Sequence, residues 1–114
     1  MNDQQRAQLK TAVEEKIRGL RKDVEVFRAL SQPVSPDNAI GRLTRMEAIN
    51  AKSINEAALA KARLTLARLE RVLPRIDHPD FGLCRECEEP IPFARLLILP
   101  ETDLCVSCAE EMGG

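Results

Sequence analysis

Large aromatic residues are scarce in this sequence, which has three Phe, no Tyr and no Trp among 114 residues. Because aromatic side chains supply much of the buried area of compact domains, this scarcity favours an elongated molecule. No apolar run approaches the ~18 residues that a membrane span needs. The polar N-terminus lacks the apolar centre of a secretion signal, so we expect a cytoplasmic protein without a membrane partner. With one His and no glycine-rich phosphate loop, an enzyme is the least favoured class.

Charge is unevenly distributed along the chain, although the formal net charge is only −1. Residues 1–75 carry 15 Lys and Arg against nine Asp and Glu, whereas residues 76–114 carry two against nine. The asymmetry predicts binding surfaces of opposite sign. It argues against a protein that coats nucleic acid along its whole length.

Proline and glycine positions divide the chain into two helical segments and a small C-terminal module. In the first segment, apolar residues recur every three or four positions, which predicts a helix over residues 3–31. Gln32-Pro33 ends this helix, because the residue before a proline resists helical geometry. The apolar stripe consists of Leu9, Val13, Ile17, Leu20, Val24, Phe27 and Leu30.

The second segment opens with Ser35-Pro36-Asp37, which supplies an N-cap, a proline suited to the first helical position and an acid that complements the helix dipole. We expect this helix to run from residue 36 to about 73, where Pro74 ends or kinks it. Only residues 31–35 join the helices, so they must fold back antiparallel with their stripes together. The second stripe consists of Ile40, Leu43, Ile54, Ala58, Ala62, Leu66, Leu69, Leu73 and Ile76.

All four cysteines lie in the C-terminal module, as the pairs Cys84-x2-Cys87 and Cys105-x2-Cys108 separated by 17 residues. Two residues between cysteines allow one tight turn to direct both sulfurs at a single ion. The spacing predicts one structural zinc ion, because four protein ligands leave no position for a substrate. Disulfide pairing competes with this interpretation, but nothing indicates an oxidising compartment. We interpret the lone histidine, His78, as a solvated loop residue rather than a ligand.

Together these patterns predict a mainly α fold with two parts. Residues 1–75 form an antiparallel two-helix coiled-coil hairpin that turns at about residues 31–35. Residues 76–114 form a small C-terminal four-cysteine zinc finger.

A distinctive set of residues surrounds the cysteines, namely Asp80-Phe81-Gly82-Leu83, Pro90-Ile91-Pro92, Arg95-Leu96, Pro100 and Val106-Ser107. With the four cysteines, this set resembles the zinc-finger signature of the DksA/TraR family. The helical hairpin upstream extends the resemblance over nearly the whole chain.

The resemblance implies a bacterial transcription regulator that binds RNA polymerase through its secondary channel and does not recognise promoter DNA. The coiled-coil tip then lies near the active centre and modulates initiation, with guanosine tetraphosphate as a further partner. The family's tip pattern, Asp-x-x-Asp-x-Ala, falls on Val34, Asp37 and Ala39, so that Val34 replaces the first acid. Arg42 and Arg45, one turn past the tip, suit a channel lined by acidic groups.

Two other functions remain open from the residues alone. A zinc ribbon that binds nucleic acid is compatible with the basic helical segments, although the module is acidic and offers no Tyr or Trp for base stacking. A redox-sensing adaptor is compatible with zinc thiolates, whose oxidation would release the metal.

Overall fold

The computed structural model describes residues 1–32 and 45–113, with the backbone alone at Arg45. This part of the chain contains four α-helices and one 3₁₀ helix, and its β structure is limited to an isolated bridge between Leu83 and Pro90. The elements are α1 (Asp3–Leu30), α2 (Arg45–Val72), a 3₁₀ helix (Leu73–Arg75), α3 (Phe93–Ile98) and α4 (Val106–Glu111).

Helix α1 begins with a reciprocal cap. The Gln5 N–H donates to Asn2 Oδ1 at 2.7 Å, and the Asn2 N–H donates to Gln5 Oε1 at 3.1 Å. This arrangement satisfies backbone donors that the first helical turn leaves without partners. The helix ends at Leu30, close to the end that Pro33 predicts.

Helix α2 ends where the proline predicts. The α-helix stops at Val72 and continues as a 3₁₀ turn over Leu73–Arg75, with Pro74 near its start. Proline lacks the N–H that an α-helix requires and its ring crowds the preceding turn, so a tighter turn replaces the α-helix here. The predicted start of this helix at residue 36 lies outside the described residues, as do residues 33–35 of the predicted turn.

The described chain divides into two compact units. The first unit contains Met1–Ile17 and Ala67–Gly114, and the second contains Arg18–Leu66. The first half of α1, the end of α2 and the cysteine-bearing segment therefore share one unit. The domain boundary between residues 75 and 76 stays a prediction drawn from the sequence.

The first unit contains most of the buried apolar side chains. Its helical core consists of Leu9, Val13, Ile17, Leu69, Val72 and Ile76. Arg6 and Lys10, near the start of α1, bond to residues 76–78 just beyond α2, so the two helices run antiparallel here. The spacing of Leu9, Val13 and Ile17 places them on one face, as their periodicity predicts.

The second unit buries fewer apolar side chains than the first. Ala62 is buried, whereas Leu20, Val24 and Phe27 of the predicted first stripe are half-buried. Ile54, predicted to lie in the second stripe, is 69% exposed. Two helices cover only their facing sides, so a position at the edge of the stripe stays in contact with water.

No helix in residues 1–32 and 45–113 is long and apolar enough to cross a membrane.

We expect Leu9→Ala to lower the free energy of unfolding by about 2–5 kcal/mol, because Leu9 is fully buried and the truncation leaves a cavity. The control is Leu64→Ala, the same change at a side chain that is 52% exposed, with an expected loss below about 1 kcal/mol. Urea unfolding followed by circular dichroism measures both variants. Equal losses would contradict the core assigned here.

Candidate metal centre

The first cysteine pair lies on a tight backbone loop. The Cys84 N–H donates to the Glu89 carbonyl at 2.9 Å, and the Glu88 N–H donates back to the Cys84 carbonyl at 2.9 Å. The Ile91 N–H donates to the Gly82 carbonyl at 2.7 Å and closes the base of the loop. These bonds turn the chain sharply enough to place Cys84 and Cys87 on the same side.

The second pair lies at the start of α4. Cys105 is the N-cap residue of this helix and Cys108 lies in its first turn. The Ala109 N–H donates to the Cys105 carbonyl at 2.9 Å, so the turn that separates the two cysteines is helical. Helical geometry brings residues three positions apart onto one face.

The two loops are joined by direct hydrogen bonds. The Arg85 N–H donates to the Asp103 carbonyl at 2.9 Å, and the Arg85 guanidinium lies 3.3 Å from the Asp103 carboxylate. Arg95 Nε donates to the Leu104 carbonyl at 3.1 Å, immediately before Cys105. These contacts fix the second pair against the first, and the cysteine spacing gives no indication of them.

As a result, all four predicted ligands come together. The Sγ atoms of Cys84, Cys87, Cys105 and Cys108 lie within 4.8 Å of one another, and those of Cys87 and Cys105 are 3.7 Å apart. A tetrahedral zinc–thiolate site with Zn–S bonds of ~2.3 Å has sulfurs separated by ~3.8 Å. The four cysteines are free of disulfides, and Cys84 and Cys108 are buried.

The electrostatics of the cluster favour a bound cation. The backbone N–H groups of Cys87 and Cys105 donate to the Cys84 sulfur and lower the pKa of Cys84 from 9.0 to about 6. Hydrogen bonds between the Cys108 thiol and the side chains of Cys105 and Cys84 raise the pKa of Cys108 well above 9.0. Four thiolates so close together repel one another, and a divalent ion would remove that repulsion.

Geometry and donor set therefore both fit zinc, and we propose that these four cysteines bind one structural zinc ion. His78 lies outside the cluster: it is exposed, and its Nδ1 accepts the Asp80 N–H at 3.1 Å. The structure does not describe the side chains of the remaining predicted site residues, those at the coiled-coil tip. Asp37, Ala39 and Arg42 lie outside the described residues, and Arg45 is described only as the first residue of α2.

Comparison with known proteins identifies this segment. Residues 79–112 match the family described as prokaryotic dksA/traR C4-type zinc finger. The matched residues include all four cysteines of the cluster. The resemblance predicted from the residues around the cysteines is thus confirmed.

Curated relatives match a shorter stretch than half of the chain. Over 48 residues it is 38% identical to the RNA polymerase-binding transcription factor DksA of Haemophilus influenzae and 33% identical to that of Escherichia coli K12. An uncharacterized protein of Aquifex aeolicus is 40% identical over 48 residues. Each match covers 42% of this chain and about a third of the relative.

A solved structure resembles the fold over a greater length. The transcription factor DksA2 from Pseudomonas aeruginosa matches 99% of this chain and 86% of its own with a TM-score of 0.78, at 21% sequence identity. The predicted fold class is therefore confirmed: mainly α, with an antiparallel two-helix coiled-coil hairpin and a small C-terminal four-cysteine zinc finger.

We expect Cys108→Ser to lower zinc affinity more than about 100-fold, because a weakly coordinating hydroxyl replaces a buried thiolate. Competition against a chromophoric chelator measures the affinity, and metal analysis measures the stoichiometry. His78→Ala is the control and should retain one zinc per chain. Loss of zinc from the histidine variant, with retention in the serine variant, would refute the assigned ligand set.

Glu88 adopts an unusual backbone conformation for a residue with a side chain. Its φ is 62°, and no other non-glycine residue in the described ranges has a positive φ. Glycine accepts this conformation without crowding between the Cβ atom and the backbone. The chain thus bears local strain next to Cys87.

We expect Glu88→Gly to raise the free energy of unfolding of the zinc-loaded protein by about 0.5–1 kcal/mol, because it relieves this strain. Glu89→Gly, at a neighbouring position without a positive φ, is the matched control and should be destabilising. The urea midpoint of each variant, measured with zinc present, distinguishes them. Destabilisation by both changes would contradict the strain assigned to Glu88.

Proposed function

We propose that this protein is a DksA-like transcription regulator that binds RNA polymerase and modulates initiation without catalysing a reaction. The finer mechanism follows the family resemblance: the helical hairpin enters the secondary channel of the polymerase, and its tip lies near the active centre. The protein then acts in the cytoplasm. Guanosine tetraphosphate is a candidate further partner in this regulation.

The observation that carries the proposal is the extent of the structural likeness. The likeness to DksA2 covers 99% of the chain, so it includes the helices as well as the finger. A match confined to the finger would equally suit an unrelated protein with a similar zinc site. The curated relatives from Haemophilus influenzae and Escherichia coli are described as RNA polymerase-binding factors, which supports the same partner for this chain.

The surface charge of α1 supports an acidic partner. Arg18, Arg21 and Lys22 are exposed and form no ion pair within the described residues. Their spacing of three and four positions places Arg18, Arg21 and Lys22 on neighbouring parts of the helix surface. Cations left exposed in this way attract an acidic surface and accelerate association with it.

The proposed contacts at the tip are those derived from the family pattern. Asp37 supplies the acid, Ala39 completes the motif, and Arg42 and Arg45 bind acidic groups of the channel. Val34 stands where the pattern has its first acid. The proposed zinc ion has a structural role in the finger, since four cysteine ligands leave it no open position for chemistry.

We expect the wild-type protein to bind purified bacterial RNA polymerase with a Kd at or below about 1 μM. Asp37→Asn should keep that affinity within about threefold and change the yield of initiated transcripts, because the amide removes the charge while keeping the shape. Val34→Asp should strengthen the effect on initiation by restoring the first acid of the pattern. Biolayer interferometry measures binding, and single-round transcription measures initiation.

The matched control is Asp23→Asn, the same change at an exposed position on α1 away from the tip pattern. This variant should leave both binding and initiation unchanged. No binding by the wild-type protein at about 10 μM polymerase would refute the proposal. Steeply salt-dependent binding to DNA without polymerase would favour the zinc-ribbon alternative instead.

A further inference from the structure

The finger is joined covalently to α2, yet three side chains of α1 also hold the C-terminal segment: Lys10 forms an ion pair with Asp77, and two others bind backbone carbonyls. Arg6 donates to the backbone carbonyls of Ile76 and His78. Lys16 Nζ donates to the carbonyls of Leu97 and Ile98, at 2.9 and 3.0 Å. All of these residues belong to the first compact unit. Arg6 thus holds the chain as it leaves α2, and Lys16 holds it inside the finger.

The carbonyls that Lys16 binds lie at the C-terminal end of α3. The last carbonyl groups of a helix have no partner within the helix, and the helix dipole makes this end negative. The Leu99 N–H bonds to the Arg95 carbonyl at 2.7 Å, which leaves the carbonyls of Leu97 and Ile98 for other donors. An ammonium group fits both requirements, since it carries positive charge and several N–H donors.

Apolar packing does little to hold this end of α3. The Ile98 side chain is 71% exposed and that of Leu99 is 40% exposed. Leu96, which lies earlier in α3, is by contrast fully buried. Lys16 therefore contacts the finger where its side chains face water.

The connection between α2 and the finger is exposed, with its first two residues held by Lys10 and Arg6 of α1 and the rest held by short-range bonds. Asp77, His78, Pro79 and Asp80 are all exposed. The Phe81 N–H donates to the His78 carbonyl at 3.0 Å, and the Leu83 N–H donates to the Asp80 carbonyl at 3.4 Å. Beyond His78, the hydrogen bonds from α1 to the finger within the described residues are those of Lys16. Segments with few buried contacts open most readily.

We propose that Lys16 is a positioning residue that fixes the orientation of the zinc finger relative to α1, with residues 79–80 acting as the hinge. Loss of the ammonium frees the end of α3 and lets the finger rotate as a folded body. Arg6, Lys10 and the buried Ile76 still hold the chain up to the start of the hinge. The inference concerns the first compact unit alone and does not depend on the proposed function.

Residual dipolar couplings in the full-length, zinc-loaded protein test this role, because they report the relative orientation of folded parts. In the wild type, α1 residues 3–17 and finger residues 80–112 should fit one alignment tensor. In Lys16→Met, which keeps the length of the side chain without its charge, they should need two tensors. We expect the alignment magnitude of the finger to fall roughly twofold, in line with the change from rigid to mobile backbone.

Two variants and one further measurement complete the design. Lys16→Arg should restore the single tensor, since a guanidinium also donates to carbonyls. Lys22→Met, the same change at an exposed position further along α1, should behave as the wild type. Zinc stoichiometry should stay at one per chain in every variant, which separates reorientation from unfolding. A single tensor with undiminished finger alignment in Lys16→Met would overturn the proposal, and so would loss of zinc from that variant.

Discussion

Crowding of four cysteine sulfurs is the constraint on which the C-terminal part of this protein depends. These sulfurs lie within 4.8 Å of one another, and such crowding opposes ionisation of all four without a cation among them. Few buried apolar residues stabilise this segment against that crowding, chiefly Ile91, Leu96 and Pro100. The proposed zinc ion would take the place of a larger apolar core in this segment, because binding it would offset the crowding of the sulfurs.

The helical part is held by a different interaction, the burial of one apolar stripe on each helix. In the first compact unit, Leu9, Val13, Leu69 and Ile76 are nearly or fully excluded from water. In the second, many apolar side chains remain half-buried or exposed, including Ile49 and Leu64. Apolar burial is thus concentrated in the unit that contains the finger.

The sequence predicts the parts of the fold that depend on local rules. The period of Leu9, Val13 and Ile17 specifies the buried face of α1, and Pro74 specifies the end of α2. The cysteine spacing specifies the cluster, because tight turns have few geometries. By contrast, Ile54 fits the apolar period and is nevertheless exposed, since burial depends on what lies opposite. Contacts between distant residues, such as Lys16 with Leu97 and Arg95 with Leu104, have no local pattern that would reveal them.

The placement of Arg6 and Lys16 on α1 bears on what counts as the smallest independent piece of this molecule. The family model matches residues 79–112, but Lys16, which donates to Leu97 and Ile98 inside this range, and Arg6, which binds the chain just before it, lie far upstream. The segment that the family model matches is therefore smaller than the compact unit formed by Met1–Ile17 and Ala67–Gly114. During synthesis, the ribosome releases α1 first, so its cations are already available when the last cysteine emerges.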